Sequence, residues 1–173
     1  KHLFTLLALT IGFSMNAQDL WSSGTVTTAI QTATNTASEA YSTAMGVYTT
    51  ASAYASTAMG NNTEAVGASS TAMGFNTKAE GVVSTAMGFN TKASGYASTA
   101  MGFNTKAIGY ASTAMGQFNV LNTGDNKTVY AATNTAFSIG NGTAEAARSD
   151  AFSVLFNGDT YVSGDLDIQG KIT

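Results

Sequence analysis

Ser-Thr-Ala-Met-Gly begins at Ser42, Ser56, Ser70, Ser84, Ser98 and Ser112, fourteen residues apart each time and with no insertion between copies. A period this short and this strictly kept excludes most folds. Each repeat must be one small unit that buries its inner face only by stacking on the units before and after it. Between the copies runs a second string, Asn-Thr-x-Ala-x-Gly, beginning at Asn62, Asn76, Asn90 and Asn104. Fourteen residues are too few for a helix–turn–helix repeat. They also lack a heptad seam, because only one bulky apolar residue recurs per copy. They suit two short strands of about five residues, each followed by a tight turn. The expected fold is all-β, a parallel β-roll (β-solenoid) of 14-residue coils over 42–116. With a rise of about 4.8 Å per coil, six coils make a rod of roughly 29 Å.

The residue types agree with that reading. Gly46 and its equivalents, with Gly67, Gly81, Gly95 and Gly109, are placed where the chain bends and a Cβ is costly. The chain has no Pro, as expected when every backbone N–H is wanted by a neighbouring coil. Stacked Asn62, Asn76, Asn90 and Asn104 can hydrogen-bond along the axis as an amide ladder. Within Ser-Thr-Ala-Met-Gly, strand alternation separates Thr and Met from Ser, Ala and Gly. The sequence reading sends Met45, Met59, Met73, Met87, Met101 and Met115 into the interior as the structural core of the repeat. The thin Ser/Ala/Gly face is then left open to the approach of another chain.

Outside the repeat, "KHLFTLLALTIGFSMNAQ" has a basic end, an apolar run from Leu3 to Phe13 and a small, polar stretch from Ser14 to Ala17. This pattern predicts a signal peptide over 1–17 and a secreted chain. A lead-in to the roll follows over 18–41. The apolar run is short for a membrane span, and no later segment resembles it, so no membrane span is expected in the mature chain. Cleavage removes His2, the only histidine, and there is no Cys anywhere. Thiol nucleophiles, histidine bases, zinc sites and disulfides are thereby excluded from the mature chain. The abundant serines have neither a G-x-S-x-G elbow nor a histidine to activate them. Asp150, Asp159, Asp165 and Asp167 are scattered through turn-like sequence. The chain reads as no enzyme, with no cofactor and no metal.

The recurring "STAMG" with "NTKASGYA" between copies resembles the fourteen-residue head repeat of YadA-like trimeric autotransporter adhesins, with Thr and Met where that motif has Val and Ile. The resemblance covers about 34–116. It implies a left-handed β-roll, a homotrimer about one axis, and a place on the bacterial outer surface. The long heptad stalk and C-terminal membrane barrel of that family are not seen in this sequence.

After Gly116 the register breaks. Residues 117–135 read as a loop or insertion. Over 136–173 come two looser copies, Ala136-Phe137-Ser138-Ile139-Gly140 and Ala151-Phe152-Ser153-Val154. An Asn157-Gly158-Asp159 hairpin signal and a short irregular alternating β segment complete the chain. "RSDAFSVLFNGDTYVSGDL" is similar to neck segments of trimeric tail-fibre and surface-fibre proteins, which implies the head of a longer fibre.

Three columns are candidate binding surfaces. Lys78, Lys92 and Lys106, in line with Glu64, form either a basic stripe for acidic polysaccharide or matrix or a solvated face that keeps the rod soluble. Phe75, Phe89 and Phe103, and also Tyr96 and Tyr110, either stack on sugar rings or pack between coils and chains. The Thr columns raise an ice-binding solenoid as a lesser alternative, although each strand has one central Thr rather than a flanking pair. Calcium nonapeptide repeats are absent, and an acidic chain with a net charge of −3 does not fit nucleic acid. The expected function is a secreted, non-enzymatic adhesin head. It would attach through a repeated surface to extracellular matrix, polysaccharide or another cell surface. The alternative is a purely structural trimeric fibre shaft without its own ligand.

Overall fold

The computed structural model describes residues 22–23, 30–31 and 34–166. The predicted signal segment lies outside them, as do the last residues of the alternating segment. All regular structure among the described residues is β. Strands β1 (Ser22–Ser23) and β2 (Ile30–Gln31) pair antiparallel, and β2 then runs parallel to the first coil. From there long and short strands alternate: β3 (Thr36–Ala37), β4 (Thr43–Val47), β5 (Thr50–Ala51), β6 (Thr57–Asn61), β7 (Glu64–Ala65), β8 (Thr71–Phe75), β9 (Lys78–Ala79), β10 (Thr85–Phe89), β11 (Lys92–Ala93), β12 (Thr99–Phe103), β13 (Lys106–Ala107) and β14 (Thr113–Gln117). The long strands form one parallel sheet and the short strands a second. The expected pair of equal strands is therefore unequal, with five residues in one sheet and two in the other.

Register is strict. Met73 pairs with Met87 and Met87 with Met101, while Lys78 pairs with Lys92 and Lys92 with Lys106. Two turns join the sheets in each coil, and both use left-handed backbone. Asn62, Asn76, Asn90 and Asn104 have φ between 51° and 53° at one corner. Asn tolerates that conformation. At the other corner stand Ala55, Ser69, Val83, Ala97 and Ala111, with φ between 52° and 59°. Their N–H groups continue the ladder between coils, as in Asn76 to Asn61 O (2.9 Å) and Ala97 to Val82 O (2.8 Å). At Gly74, φ is +121°, and a Cβ would overlap the carbonyl oxygen of Gly88 in the next coil.

The interior corrects the sequence reading. The core cluster consists entirely of alanine. Ala44, Ala58, Ala72, Ala86, Ala100 and Ala114 come from the long strands, and Ala37, Ala51, Ala65, Ala79, Ala93 and Ala107 from the short ones. Ser42, Ser56, Ser98 and Ser112 are buried beside them, and their hydroxyls donate to carbonyls three residues earlier. Thr49, Thr63, Thr77, Thr91 and Thr105 fill a further buried column. Thus Met45, Met59, Met73, Met87, Met101 and Met115 stand with the strand Thr on the outer face of the long sheet, half-exposed. The alternation is as expected, but its sense is reversed. A coil with only fourteen residues is too flat to hold a thioether chain between its sheets, and a methyl group fits. Each buried methyl contributes on the order of 0.8 kcal/mol, so the coil depends heavily on the backbone ladder between its neighbours.

The first looser copy continues the roll. In β15 (Thr135–Asn141), Phe137 pairs with Thr113, Ser138 with Ala114, Ile139 with Met115 and Gly140 with Gly116, still parallel. Ser138 is buried where Ala would be. The second copy does not make a coil. β16 (Asp150–Leu155) runs antiparallel to β15, and β17 (Thr160–Val162) antiparallel to β16. The Asn157-Gly158-Asp159 turn joins these last two strands, with Leu155 N–H donating to Asp159 O at 2.9 Å.

Candidate functional site

Every candidate residue belongs to a column, so the surface consists of faces rather than a pocket. The outer face of the short sheet carries the charges. Lys78 Nζ lies 2.8 Å from Glu64 and 3.6 Å from Glu80, and Lys92 lies 2.9 Å from the same Glu80. Lys106 lies 2.6 Å from Glu145. All three lysines are thus neutralised locally. Glu64 holds the Lys78 ammonium above its ordinary range. Partial burial pulls Glu80 upward, but its bonds to Lys92 and Ser94 outweigh that and leave it below its ordinary range.

The aromatic columns stack on themselves. Phe75 and Phe89 lie 5.1 Å apart at 7°, and Phe89 and Phe103 5.0 Å apart at 12°. Tyr96 and Tyr110 lie 5.4 Å apart at 6°. Their ring faces meet each other, so these columns present ring edges to solvent. The phenylalanines end the long strands. The tyrosines sit in the turn that precedes the next long strand. The two aromatic columns therefore flank the long sheet on opposite edges. Beside the Phe column, Asn62 Nδ2 donates to Asn76 Oδ1 at 2.9 Å, Asn76 to Asn90 at 2.8 Å, and Asn90 to Asn104. The amide ladder expected from the sequence is present.

Between these edges the outer face of the long sheet carries Thr and Met in all six coils and no charged residue. The two faces of one thin rod thus differ sharply: one is ionic, and the other is uncharged and half-exposed.

The end of the roll holds residues that sequence reasoning missed. Asn119 lies fourteen residues after Thr105, and Asn35 fourteen before Thr49, so the buried Thr column ends in Asn on both sides. Asn35 Oδ1 accepts Thr49 N–H at 3.0 Å, and its Nδ2 donates to Gly46 O at 2.9 Å. Asn119 does the equivalent for Lys106. The Arg148 side chain, 8 % exposed, lies beneath the last coil. It donates to Asn104 O and Asn119 O, both at 3.0 Å, pairs with Glu145 at 2.6 Å, and covers the Phe118 ring at 5.6 Å. Arg148 and then Lys106 hold the Glu145 carboxyl down at about 2. The phase of the repeat was the available signal: both Asn residues occupy Thr positions.

Residues 120–125 and 133, with β16 and β17, line an open groove of about 760 Å³ that includes Asp125, Asp150 and Tyr161. Burial raises the Asp150 carboxyl, against the pull of the Val120 N–H that it accepts at 2.9 Å. Among the described residues no group of acidic side chains, His or Cys is assembled that could hold a metal. No helix there is long and apolar enough to cross a membrane.

The family described as YadA head domain repeat matches this chain over 37–63, 65–91 and 93–119. Neither a curated protein nor a solved structure gives a match. The matched segments cover the stacked coils and end at Asn119, the residue that closes the Thr column.

Proposed function

Since 37–119 are head repeats of the YadA type, a kind that points to adhesin-like proteins of the bacterial outer surface, we propose that this chain is the non-enzymatic head of a secreted homotrimeric adhesin. One observation carries the reading: charge is segregated onto the short sheet, while six coils of Thr and Met leave the long sheet uncharged and half-exposed. A rod whose apolar core is alanine alone, beside buried Ser and Thr, has little core of its own, and covering that uncharged face adds the apolar burial it lacks. In the trimer the long sheets turn toward the axis. Lys78, Lys92 and Lys106 turn outward and form the repeated surface offered to matrix, polysaccharide or another cell.

Light scattering on the mature chain tests the assembly. The expected mass is that of three chains, and a stable folded monomer at micromolar concentration would reject it. Attachment is tested by replacing Lys78, Lys92 and Lys106 together with serine. The variant should keep its circular dichroism and lose adhesion to immobilised matrix.

A second reading has a specific observation in its favour. The lysines are ion-paired and the aromatic faces are taken up by their own stacks, which suits a spacer shaft without a ligand. A shaft keeps the adhesion of the whole fibre when those three lysines are changed, so the same variant separates the two.

A further inference from the structure

The two edges of the long sheet are unlike. One carries Phe75, Phe89 and Phe103; the other carries Val82, Val83 and Tyr96, all exposed. Along this second edge the backbone N–H groups of Tyr54, Ala68 and Val82, one coil apart, have no acceptor among the described residues. At the two lowest positions of the same column the groups are taken. Tyr96 N–H donates to Lys127 O and Tyr110 N–H to Asn126 O, both at 2.7 Å. The edge is thus a line of donors at the strand spacing of about 4.8 Å, and its lower end already grips a backbone laid along the rod. The upper positions stay open.

Pitch decides what fits them. An extended peptide turns carbonyls to one side every second residue, about 6.8 Å, and falls out of step at once. A second copy of this roll repeats at the same spacing and stays in step along its whole length. Its other edge carries the exposed Asn62 and Asn76 at that spacing. The Asn76 oxygen accepts from Asn62 Nδ2 and keeps a second lone pair, while the Asn62 oxygen has no donor among the described residues. We propose that neighbouring copies of this chain dock edge to edge and in register. The Phe edge of one copy meets the Val82–Tyr96 edge of the next, and the open N–H groups donate to the partner's Asn column. Because unlike edges meet, the contact is heterologous and closes as a ring. This assigns the side contacts of the trimer and rests on the homotrimer reading above.

The chain has no cysteine, so engineered thiols report contacts without background. Val82→Cys, Phe89→Cys and the double variant are sized in solution and then treated with a short bis-maleimide. The double variant should convert to a covalent trimer on a denaturing gel, and each single variant should stay at the mass of one chain. Tyr96→Cys with Phe103→Cys repeats the measurement one coil lower, in case one pair disturbs folding. A trimer by scattering that neither pair cross-links overturns the edge assignment and leaves the trimer standing. Cross-linking of Val82→Cys alone into a dimer overturns it too, because like edges would then meet. A monomer by scattering, before any reagent is added, overturns both.

Discussion

The side-chain amide of Asn119 closes on the backbone of Lys106: its Oδ1 accepts the Lys106 N–H at 2.8 Å, and its Nδ2 donates to the Lys106 carbonyl at 3.0 Å. In the preceding coils the same N–H donates to the Thr carbonyl of the next coil, as Lys92 does to Thr105 at 2.9 Å. Asn119 therefore does with its side chain what another coil would do with its main chain. Asn119→Ala leaves a buried donor and acceptor unpaired, which costs about 1–3 kcal/mol. A lowered melting temperature and faster amide exchange at Lys106 are expected. Unchanged exchange at that amide would contradict the capping role.

The direction of the strand faces is tested by neighbours. Ala86 is fully buried, and Met87 is half-exposed on the outer face. Ala86→Leu forces extra carbons into a filled interior, at about 1–3 kcal/mol or more, and should unfold the coil. Met87→Asp should leave the circular dichroism of the roll intact and shift the mass by scattering from trimer to monomer.

Glycine is required wherever one coil's backbone stacks on the next, and free in an exposed turn such as that of Gly124. At Gly74 both the positive φ and the Gly88 carbonyl exclude a Cβ, whereas Gly124 has nothing within 4 Å. Gly74→Ala should prevent folding, and Gly124→Ala should change stability by less than about 0.5 kcal/mol. Comparable melting temperatures for the two variants would refute the close stacking of coils.

The Thr77 hydroxyl is buried and has no hydrogen-bond partner among the described residues. Burying a hydroxyl unpaired costs about 1–3 kcal/mol on protein scales. Thr77→Val keeps the branched shape and removes that cost, so chemical denaturation should show a gain of about 1 kcal/mol. A loss of stability would mean that the hydroxyl has a partner.

The clasp of Glu145 with Arg148 and Lys106 gives a pH dependence. The Glu145 carboxyl is lowered from the ordinary 4.5 to about 2. A depressed carboxylate stabilises the fold fully above its unfolded value and loses that contribution as pH falls through the folded value. The difference in melting temperature between wild type and Glu145→Gln should therefore be constant above roughly 4.5 and shrink toward nothing near pH 2. A difference that grew on acidification would have the wrong sign.

The fold was legible because the repeat states it six times. Period, Gly positions, the missing Pro and the Asn ladder each follow from backbone requirements common to every coil. The inside was not legible from alternation, which separates Thr and Met from Ser and Ala but leaves the sense open. Chain-level hydrophobicity favours Met inside, while the narrow space between the two sheets admits only short side chains, Ala, Ser and Thr. The charged column was legible as a column. Its neutralisation depends on Glu80 from the next turn and on Glu145 from beyond the roll, which local spacing does not reveal. Ala151-Phe152-Ser153-Val154 looks like a further coil by composition, yet β16 folds back antiparallel. The bulge in its pairing with β15 and the hairpin turn behind it are tertiary outcomes.

The Asn35 and Asn119 amides each reach backbone groups of the neighbouring coil, Thr49 and Gly46 at one end and Lys106 at the other. Neither end senses how many threonines lie between. Unequal recombination among near-identical repeats can therefore add or remove whole coils while both termini of the rod stay closed. Reach becomes a heritable quantity that changes in fixed steps, without a new fold having to arise.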